Sequence, residues 1–513
     1  MPRPAQHYRI YESSTTDARI DQPSGPSKMC LSCHDGALAL GLLASRPVGD
    51  PVVMSQRTIG PGPADLTQDL SDDHPIGFRY DRALANRDLQ IKNPDLLSPL
   101  LPLGAHNEVH CTTCHDPHDN NLGNFLRVTD RRSAICLSCH DLLGWDASSH
   151  ARSVLPIRGR QVDPREKLTY HTVADNACSN CHKIHSAAGR ERLLRFAREE
   201  NNCLNCHSGG VVLQNIASEI RKPSAHRVER FVGRHDPTED PRVMTRHVEC
   251  QDCHNPHAVA SRTPGSTRRP SNGAVTANNR FVSGISLTGR AIKHANFEYE
   301  ICFKCHSDSV SRPRSSDIAR QITQTNTRLE FQPSNPSFHP VVSPRNNRDV
   351  VSLLPPWRVG SQMRCTDCHN SDQGLSGSFP SGPSGPHGSI YAPLLIDNYI
   401  TDDMTMESAR SYALCYRCHD RQSILGNESF DLHNLHVVQE RAPCSACHDA
   451  HGISRSQGSR TNHSNLINFD RSIVTPARGG LGRRIEYVDT GSQSGNCTLT
   501  CHNVLHVRFE YGR

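Results

Sequence analysis

The chain is poor in the residues that build ordinary protein cores. Of its 513 residues, AVILMFWYC make up 35% and aromatics 5%, with two Trp, and the mean hydropathy is −0.59. A typical globular domain is about 45–50% apolar by a similar count. The length alone would suggest three or four domains at about 100–200 residues each. A chain this polar, however, struggles to offset its ordering entropy by burying side chains. Something besides side chains must supply the core. Long hydrophobic runs are missing too. The longest, Ala37 to Ala44, is interrupted by Gly41 and falls far short of the roughly 20 residues a spanning helix needs. The opening residues lack the apolar stretch of a secretory signal, so the expectation is either a mature exported form or a protein that stays in the cytoplasm.

An unpaired cysteine is also lacking, for all 22 fall into eleven close pairs. Ten pairs read C-x-x-C-H: Cys30 and Cys33, Cys111 and Cys114, Cys136 and Cys139, Cys178 and Cys181, Cys203 and Cys206, Cys250 and Cys253, Cys302 and Cys305, Cys365 and Cys368, Cys415 and Cys418, Cys444 and Cys447. The eleventh pair, Cys497 and Cys501, encloses Thr498, Leu499 and Thr500. Every second cysteine is followed by a histidine: His34, His115, His140, His182, His207, His254, His306, His369, His419, His448 and His502.

Zinc ribbons need two cysteine pairs per metal and do not require that histidine. A disulfide framework gives no reason for it either. With 31 His in the chain, eleven such placements by chance have a probability on the order of 10⁻¹³. Covalent c-type haem attachment explains both the pairs and the histidines. Two thiols that add to the vinyl groups of one haem must sit within a single turn of chain. The next residue is then placed to bring its imidazole to the iron. The reading is eleven haems c, each with its motif histidine as proximal ligand.

A six-coordinate iron needs a second ligand. Methionine is the common alternative, but there are only seven Met, so bis-histidine ligation is the economical reading. The chain repeats, and the repeat selects the distal histidines. One class precedes each motif pair: His74 in DDHPIGF, His150 in SSHA, His226 in SAHR, His339 in SFHP and His433 in DLHNLH. The other follows the first motif of the pair: His118 in CHDPH, His185 in CHKIH, His257 in CHNPH and His451 in CHDAH. The fourth pair has CHNSD instead, and His387 in GPHGS replaces it. The eleventh distal ligand is left among His7, His106, His110, His171, His247, His436 and His506, while His235, His294 and His463 have no recurring context. A ligand lent by a neighbouring chain, from His7 or His506, is a further expectation.

The repeat divides the chain into a single-haem segment, 1–73, and five haem pairs, 74–149, 150–225, 226–338, 339–432 and 433–513, as stretches of one array. Between motifs the sequence reads as loop. Ser261–Gly284 and Ser371–Ser389 lack either periodicity, while Arg190–Glu199 is expected to be helical. The expected fold is a mostly irregular multihaem cytochrome c with few short helices and minimal strand, organised around stacked haems. Thioethers and iron–nitrogen bonds would staple the chain, so the haem-free chain is expected to be disordered. The formal charge of +5 would fall to about −6, since each ferric haem with two propionates adds about −1. Nucleic-acid binding thereby loses its support.

The run CLSCHDG, DHPIGF, VHCTTCHDPH, ICLSCHD, CSNCHKIH, ECQDCHNPH, ICFKCHSD, NPSFHPV, CTDCHN, GPHGS and PCSACHDAHG resembles the multihaem cytochromes c with doubled CxxCH repeats, many from metal-reducing bacteria. The resemblance extends from Cys30 to His502. It implies closely packed bis-histidine haems and electron transfer across the periplasm, the outer membrane or the cell surface, in some members as extracellular filaments. The leading expectation is a molecular wire, as a filament or surface conduit ahead of a soluble periplasmic carrier. Its partners would be other redox proteins, extracellular acceptors or further copies of itself, with no membrane span. A multihaem oxidoreductase is the different-class alternative. It would need an open iron, placed by preference at the Cys365 and Cys368 motif, and no C-x-x-C-K occurs. Thioether attachment takes place outside the cytoplasm, so an exported protein is expected, extracellular, on the outer surface or periplasmic.

Overall fold

The structure is a computed structural model that describes residues 7–37, 58–62, 64–157, 170–231, 236–260, 272–313, 317–344, 350–374, 382–478 and 484–512. His235 and much of the stretches 261–284 and 371–389 lie outside these residues. The chain divides into two units. One comprises 1–213, 232–238 and 256–261, and the other 214–231, 239–255 and 262–513.

Helix in both units is short and centred on the cysteine pairs. In the first unit α1 (Gly25–His34) runs through the first motif and buries Leu31 against Tyr8 and Leu70. Single turns follow at Cys111–Cys114, Ala134–Leu137, Ala177–Asn180 and Glu199–Leu204. α2 (Glu298–His306) is the longest described helix of the second unit, where Cys365–Cys368, Ala413–Tyr416 and Cys444–Cys447 are single turns. One backbone bond recurs. The motif histidine N–H donates to the carbonyl of the pair's first cysteine, as in His115 to Cys111 at 2.9 Å, His369 to Cys365 at 2.8 Å and His448 to Cys444 at 2.9 Å. That bond closes one helical turn and brings the two sulfurs together, as attachment to one porphyrin requires.

Strand is sparse. Ser224–Ala225 pairs antiparallel with Gly388–Ser389, and Ser337–Phe338 with Gly452–Ile453. The exception is a C-terminal antiparallel sheet of β1 (Val474–Thr475), β2 (Glu486–Gly491), β3 (Ser494–Cys501) and β4 (Val504–Tyr511), in which β3 pairs with the other three. His502 and Asn503, at φ 47° and 64°, form the two-residue hairpin between β3 and β4, where two left-handed residues match the strand twist.

Buried apolar side chains form separate small clusters. Phe78, Tyr80 and Leu84 make one in the first unit. In the second, Phe303, Phe331 and Phe338 centre one cluster, and Phe469, Val474 and Tyr487 another. The expected fold class therefore holds: short helices, little strand and mostly irregular chain. Two local features differ. Arg190–Glu199 holds only a 3-10 turn at Glu191–Leu193, because Arg192 and Leu193 take φ 62° and 51° and cannot continue a helix. The C-terminal sheet is larger than the expected short pairs, its strands being rich in β-branched and aromatic residues. Among the described residues no helix is long and apolar enough to cross a membrane.

Candidate haem-ligating sites

The 22 cysteines form no disulfide, and every one is half-buried. Consecutive motifs instead approach each other in chain order within each unit. In the first, Cys30 lies against Cys111, Cys114 near Cys139, and Cys136 against Cys178. In the second, Cys253 is near Cys305, Cys302 against Cys365, Cys368 near Cys418, Cys415 against Cys444, and Cys447 near Cys501. First cysteines meet first cysteines at one junction, and second cysteines meet at the next.

The other cysteines are held through the backbone of their own motifs. Cys33 ends the first motif inside α1, and its carbonyl accepts the Gly36 N–H at 3.3 Å. The Cys181 N–H donates to the Cys178 carbonyl at 3.0 Å, and its own carbonyl accepts the Arg195 N–H at 2.7 Å. The Cys206 N–H donates to the Cys203 carbonyl at 3.1 Å, and the Val212 N–H closes on the Cys206 carbonyl at 3.2 Å. Cys250 accepts the His254 N–H at 3.0 Å. Each of these motifs therefore keeps its two thiols within one turn, the arrangement a two-thioether attachment needs.

Among the described residues no three His, Cys, Asp or Glu side chains converge as a bare metal site would need. The recurring arrangement is two imidazoles facing each other across a gap. Seven motif histidines have such a partner in their own unit at ring-centre distances of 6.0–6.3 Å: His140 with His74, His115 with His185, His207 with His150, His182 with His257, His306 with His226, His254 with His387, and His369 with His451. An iron bonded on both sides at about 2 Å, with each ring centre about 1.1 Å beyond its nitrogen, sets the centres about 6.3 Å apart. The spacing therefore fits a bis-histidine haem iron. His448 faces His433 at 6.4 Å, and His339 lies close enough to His419 to depress its pKa.

A rule emerges from these pairs. A histidine preceding a motif pair faces that pair's second motif in three cases, His74 with His140, His150 with His207 and His226 with His306, whereas His433 faces His448 of its pair's first motif. The ring planes of the three are steep, at 64–82°. A histidine after a first motif faces the first motif of the preceding pair, with planes at 18–30° for three of these and 55° for His369 with His451.

Hydrogen bonding separates these histidines from the others. A metal-binding imidazole usually donates its second ring N–H to an oxygen that fixes its orientation. Here Nδ1 is the engaged nitrogen. His115, His182, His369 and His448 place it 2.8–3.1 Å from the carbonyls of Asn124, Arg192, Pro393 and Asn465. His150 and His226 place it at 2.8 and 2.7 Å from the Pro256 and Pro386 carbonyls, each the residue before a post-motif histidine. His185 and His451 use carboxylates, Asp73 and Glu330. Burial, reinforced by neighbouring imidazoles, lowers the pKa of His140, His369 and His419 to about 4 and that of His257, His306 and His433 to about 3. The neutral ring is the ligating form. At His451 burial opposes protonation most strongly, but the Glu330 hydrogen bond and the charges of Glu330 and Asp449 together outweigh it and the pKa rises.

The remaining candidates sort accordingly. His118 is exposed and faces no histidine ring among the described residues. His7, His106 and His171 are exposed. His110 is buried between Ser27 and Glu108, and the Nε2 of His247 lies 2.9 Å from Glu239, so neither presents that nitrogen to an iron. His34 sets its Nδ1 2.7 Å from the Ala64 carbonyl. The last motif is built differently. Cys497 and Cys501 lie four residues apart on β3, about 13 Å at strand rise, instead of within one turn. The Nε2 of His502 is 2.8 Å from Asp403. His436 instead faces His506, at 6.4 Å.

Sequence reasoning missed the carbonyl arms that orient the motif histidines. Asn124-Phe125, Arg192-Leu193 and Asn465-Leu466 all carry positive φ, and each first residue offers its carbonyl to a motif histidine. The recurring signal was there in NFLR, RLLR and NLIN, 9 to 17 residues beyond the histidine.

Three segments, 104–143, 171–211 and 356–424, match the family described as doubled CXXCH motif. Each spans two of the C-x-x-C-H pairs. No curated protein matches the chain. These doubled motifs support a multihaem c-type cytochrome, with covalently bound haem c and a role in electron transfer.

Proposed function

We propose that the protein is an eleven-haem conduit for long-range electron transfer, working outside the cell as a filament of like subunits or as part of a surface conduit. The observation that carries this reading is the order of the motifs. At eight of the ten junctions between motifs, cysteine pairs adjacent in sequence are adjacent in space, so haems seated there would follow one another edge to edge. Bound haem supplies the one-electron carrier. Where motif histidines face a second imidazole, the chain would hold an iron between the two, with Nδ1 hydrogen bonds fixing ring planes, and it spaces one motif from the next. Donors and acceptors would be other cytochromes or extracellular acceptors, and successive copies could join end to end.

An oxidoreductase would need an iron with an open position. The site where one was expected, at the Cys365 and Cys368 motif, has His451 opposite His369 at 6.1 Å, which favours a conduit. Cryo-electron microscopy of material sheared from cells tests the proposal. Filaments with haems running unbroken across subunit boundaries are the expected result. Discrete particles would refute the filament and turn the reading to a periplasmic carrier.

A further inference from the structure

Two of the facing imidazole pairs differ from others in what stands behind one ring. His115, His182, His254 and His369 turn Nδ1 to backbone carbonyls, as do His74, His150 and His226. His419 turns it to the Ser352 hydroxyl at 3.0 Å. These oxygens are neutral. His185 and His451 turn Nδ1 to carboxylates instead, Asp73 Oδ1 at 3.1 Å and Glu330 Oε2 at 3.0 Å. His185 faces His115 in the first unit and His451 faces His369 in the second, so both units contain such a pair.

Both acids are buried and held in place. Asp73 and Glu330 are each 4% exposed. Asp73 Oδ1 also accepts the Ser186 N–H at 3.1 Å, and its Oδ2 is buried without a hydrogen-bond partner. Among the described residues no Lys or Arg forms an ion pair with Asp73, and nearby Arg190 turns to Asp69 at 2.7 Å. Glu330 ends the turn Thr327–Glu330, and its carbonyl would overlap a Cβ on Gly452. The buried ring of Phe331 lies 5.3 Å from that of His451. At both places the residue after the imidazole, Ser186 or Gly452, packs against the acid that backs it. A charge in such a setting is only weakly screened by water and salt.

We infer that Asp73 and Glu330 lower the reduction potentials of the haems on Cys111 and Cys114 and on Cys365 and Cys368, acting through His185 and His451. This deepens the conduit reading and rests on it. An imidazole that gives its second N–H to a carboxylate is a more basic ligand, and it carries part of the carboxylate's negative charge toward the iron. That charge favours the ferric over the ferrous state, for hydrogen bonding around an axial ligand is one of the protein's levers on potential. Reduction at these sites adds one electron to the iron, breaks no bond and leaves the proton on Nδ1. Each iron is therefore harder to reduce than it would be behind a carbonyl, and each unit gains a step of lowered potential along its row of motifs.

The test uses the full haem-loaded protein and two variants, Asp73→Asn and Glu330→Gln. Both keep an oxygen for the imidazole N–H and remove only the charge. They are read by optical redox titration and by electron paramagnetic resonance of the oxidised form. In each variant one electron equivalent should move to higher potential, its oxidised-to-reduced ratio at a fixed potential falling about tenfold or more, which is about 59 mV for a one-electron couple. The spectrum of low-spin haems should keep its intensity. A titration identical to wild type, with low-spin haem retained, would overturn the inference and leave the conduit reading intact. Conversion of a haem to high-spin would overturn it too, because the acid would then only hold the imidazole in place. A wild-type chain without covalent low-spin haem would defeat the conduit reading itself.

Discussion

At the scale of single residues, which imidazole nitrogen is engaged tells more than whether a histidine is buried. His110 and His247 have buried side chains, yet each turns Nε2 toward a carboxylate. His185 is partly exposed, yet it gives Nδ1 to Asp73 and faces His115. The sequence context CHDPH makes His118 look equivalent to His185, His257 and His451, and here the local pattern misleads. Each post-motif histidine serves the first motif of the preceding pair. Cys30 meets Cys111 as Cys136 meets Cys178, so the solitary first motif holds the place of a pair's second motif. Among the described residues His118 faces no first motif. These assignments give opposite expectations for two variants. His185→Ala should convert one low-spin ferric haem, the one on Cys111 and Cys114, to high-spin by electron paramagnetic resonance, while His118→Ala should leave the spectrum unchanged. A high-spin haem in His118→Ala would mean that this residue reaches an iron after all.

At the scale of elements, two-residue strands do the positioning. Ser224–Ala225 and Gly388–Ser389 pair so that His226 N–H donates to the His387 carbonyl and His226 Nδ1 sits against Pro386. Ser337–Phe338 and Gly452–Ile453 do the same for His339 and His451. A glycine follows the post-motif histidine at both places because another backbone passes there. A Cβ at Gly388 would overlap the Glu219 carbonyl. Gly388→Ala should therefore push the strands apart and disturb two imidazoles at once, those opposite His254 and His306. The expected result is two haems losing low-spin character and a destabilisation of about 1–3 kcal/mol from overpacking, read as a lower Tm of the haem-loaded protein. Loss at a single haem would show that the strand pair does not couple the two sites. None of this pairing could be read from sequence, since two-residue strands have no periodicity to detect. The motif turns were legible because the spacing of the cysteines dictates them. The helix expected at Arg190–Glu199 failed for the opposite reason. Its composition favours helix, but the Arg192 carbonyl is drawn to His182 Nδ1, and tertiary contact overrides propensity.

At the scale of the whole molecule, composition gave a sound warning that side chains do not build the core. The buried apolar residues form local patches such as Tyr8–Leu31–Leu70 and Phe78–Tyr80–Leu84, too small to fold a domain alone. The order of motifs in space was not legible, because it is set by contacts between cysteines tens of residues apart. Nor was the interleaving of the two units, in which 256–261 returns to the first so that the Pro256 carbonyl reaches His150 and His257 faces His182. The first contact orients His150 toward His207, and the second sets two histidines at the spacing a common iron would enforce. Without it, these imidazoles and the half-buried cysteines are polar groups gathered at a cost in chain entropy of about 1–2 kcal/mol per ordered residue. Where ligand sets assemble only around their metal, binding free energy is folding free energy. The chain made without haem attachment should accordingly give a far-UV circular dichroism spectrum of disordered chain and no cooperative thermal transition, while the haem-loaded protein melts cooperatively. A cooperative melt of the haem-free chain would mean that the small clusters and the C-terminal sheet suffice, and that the haems are guests in a preformed fold.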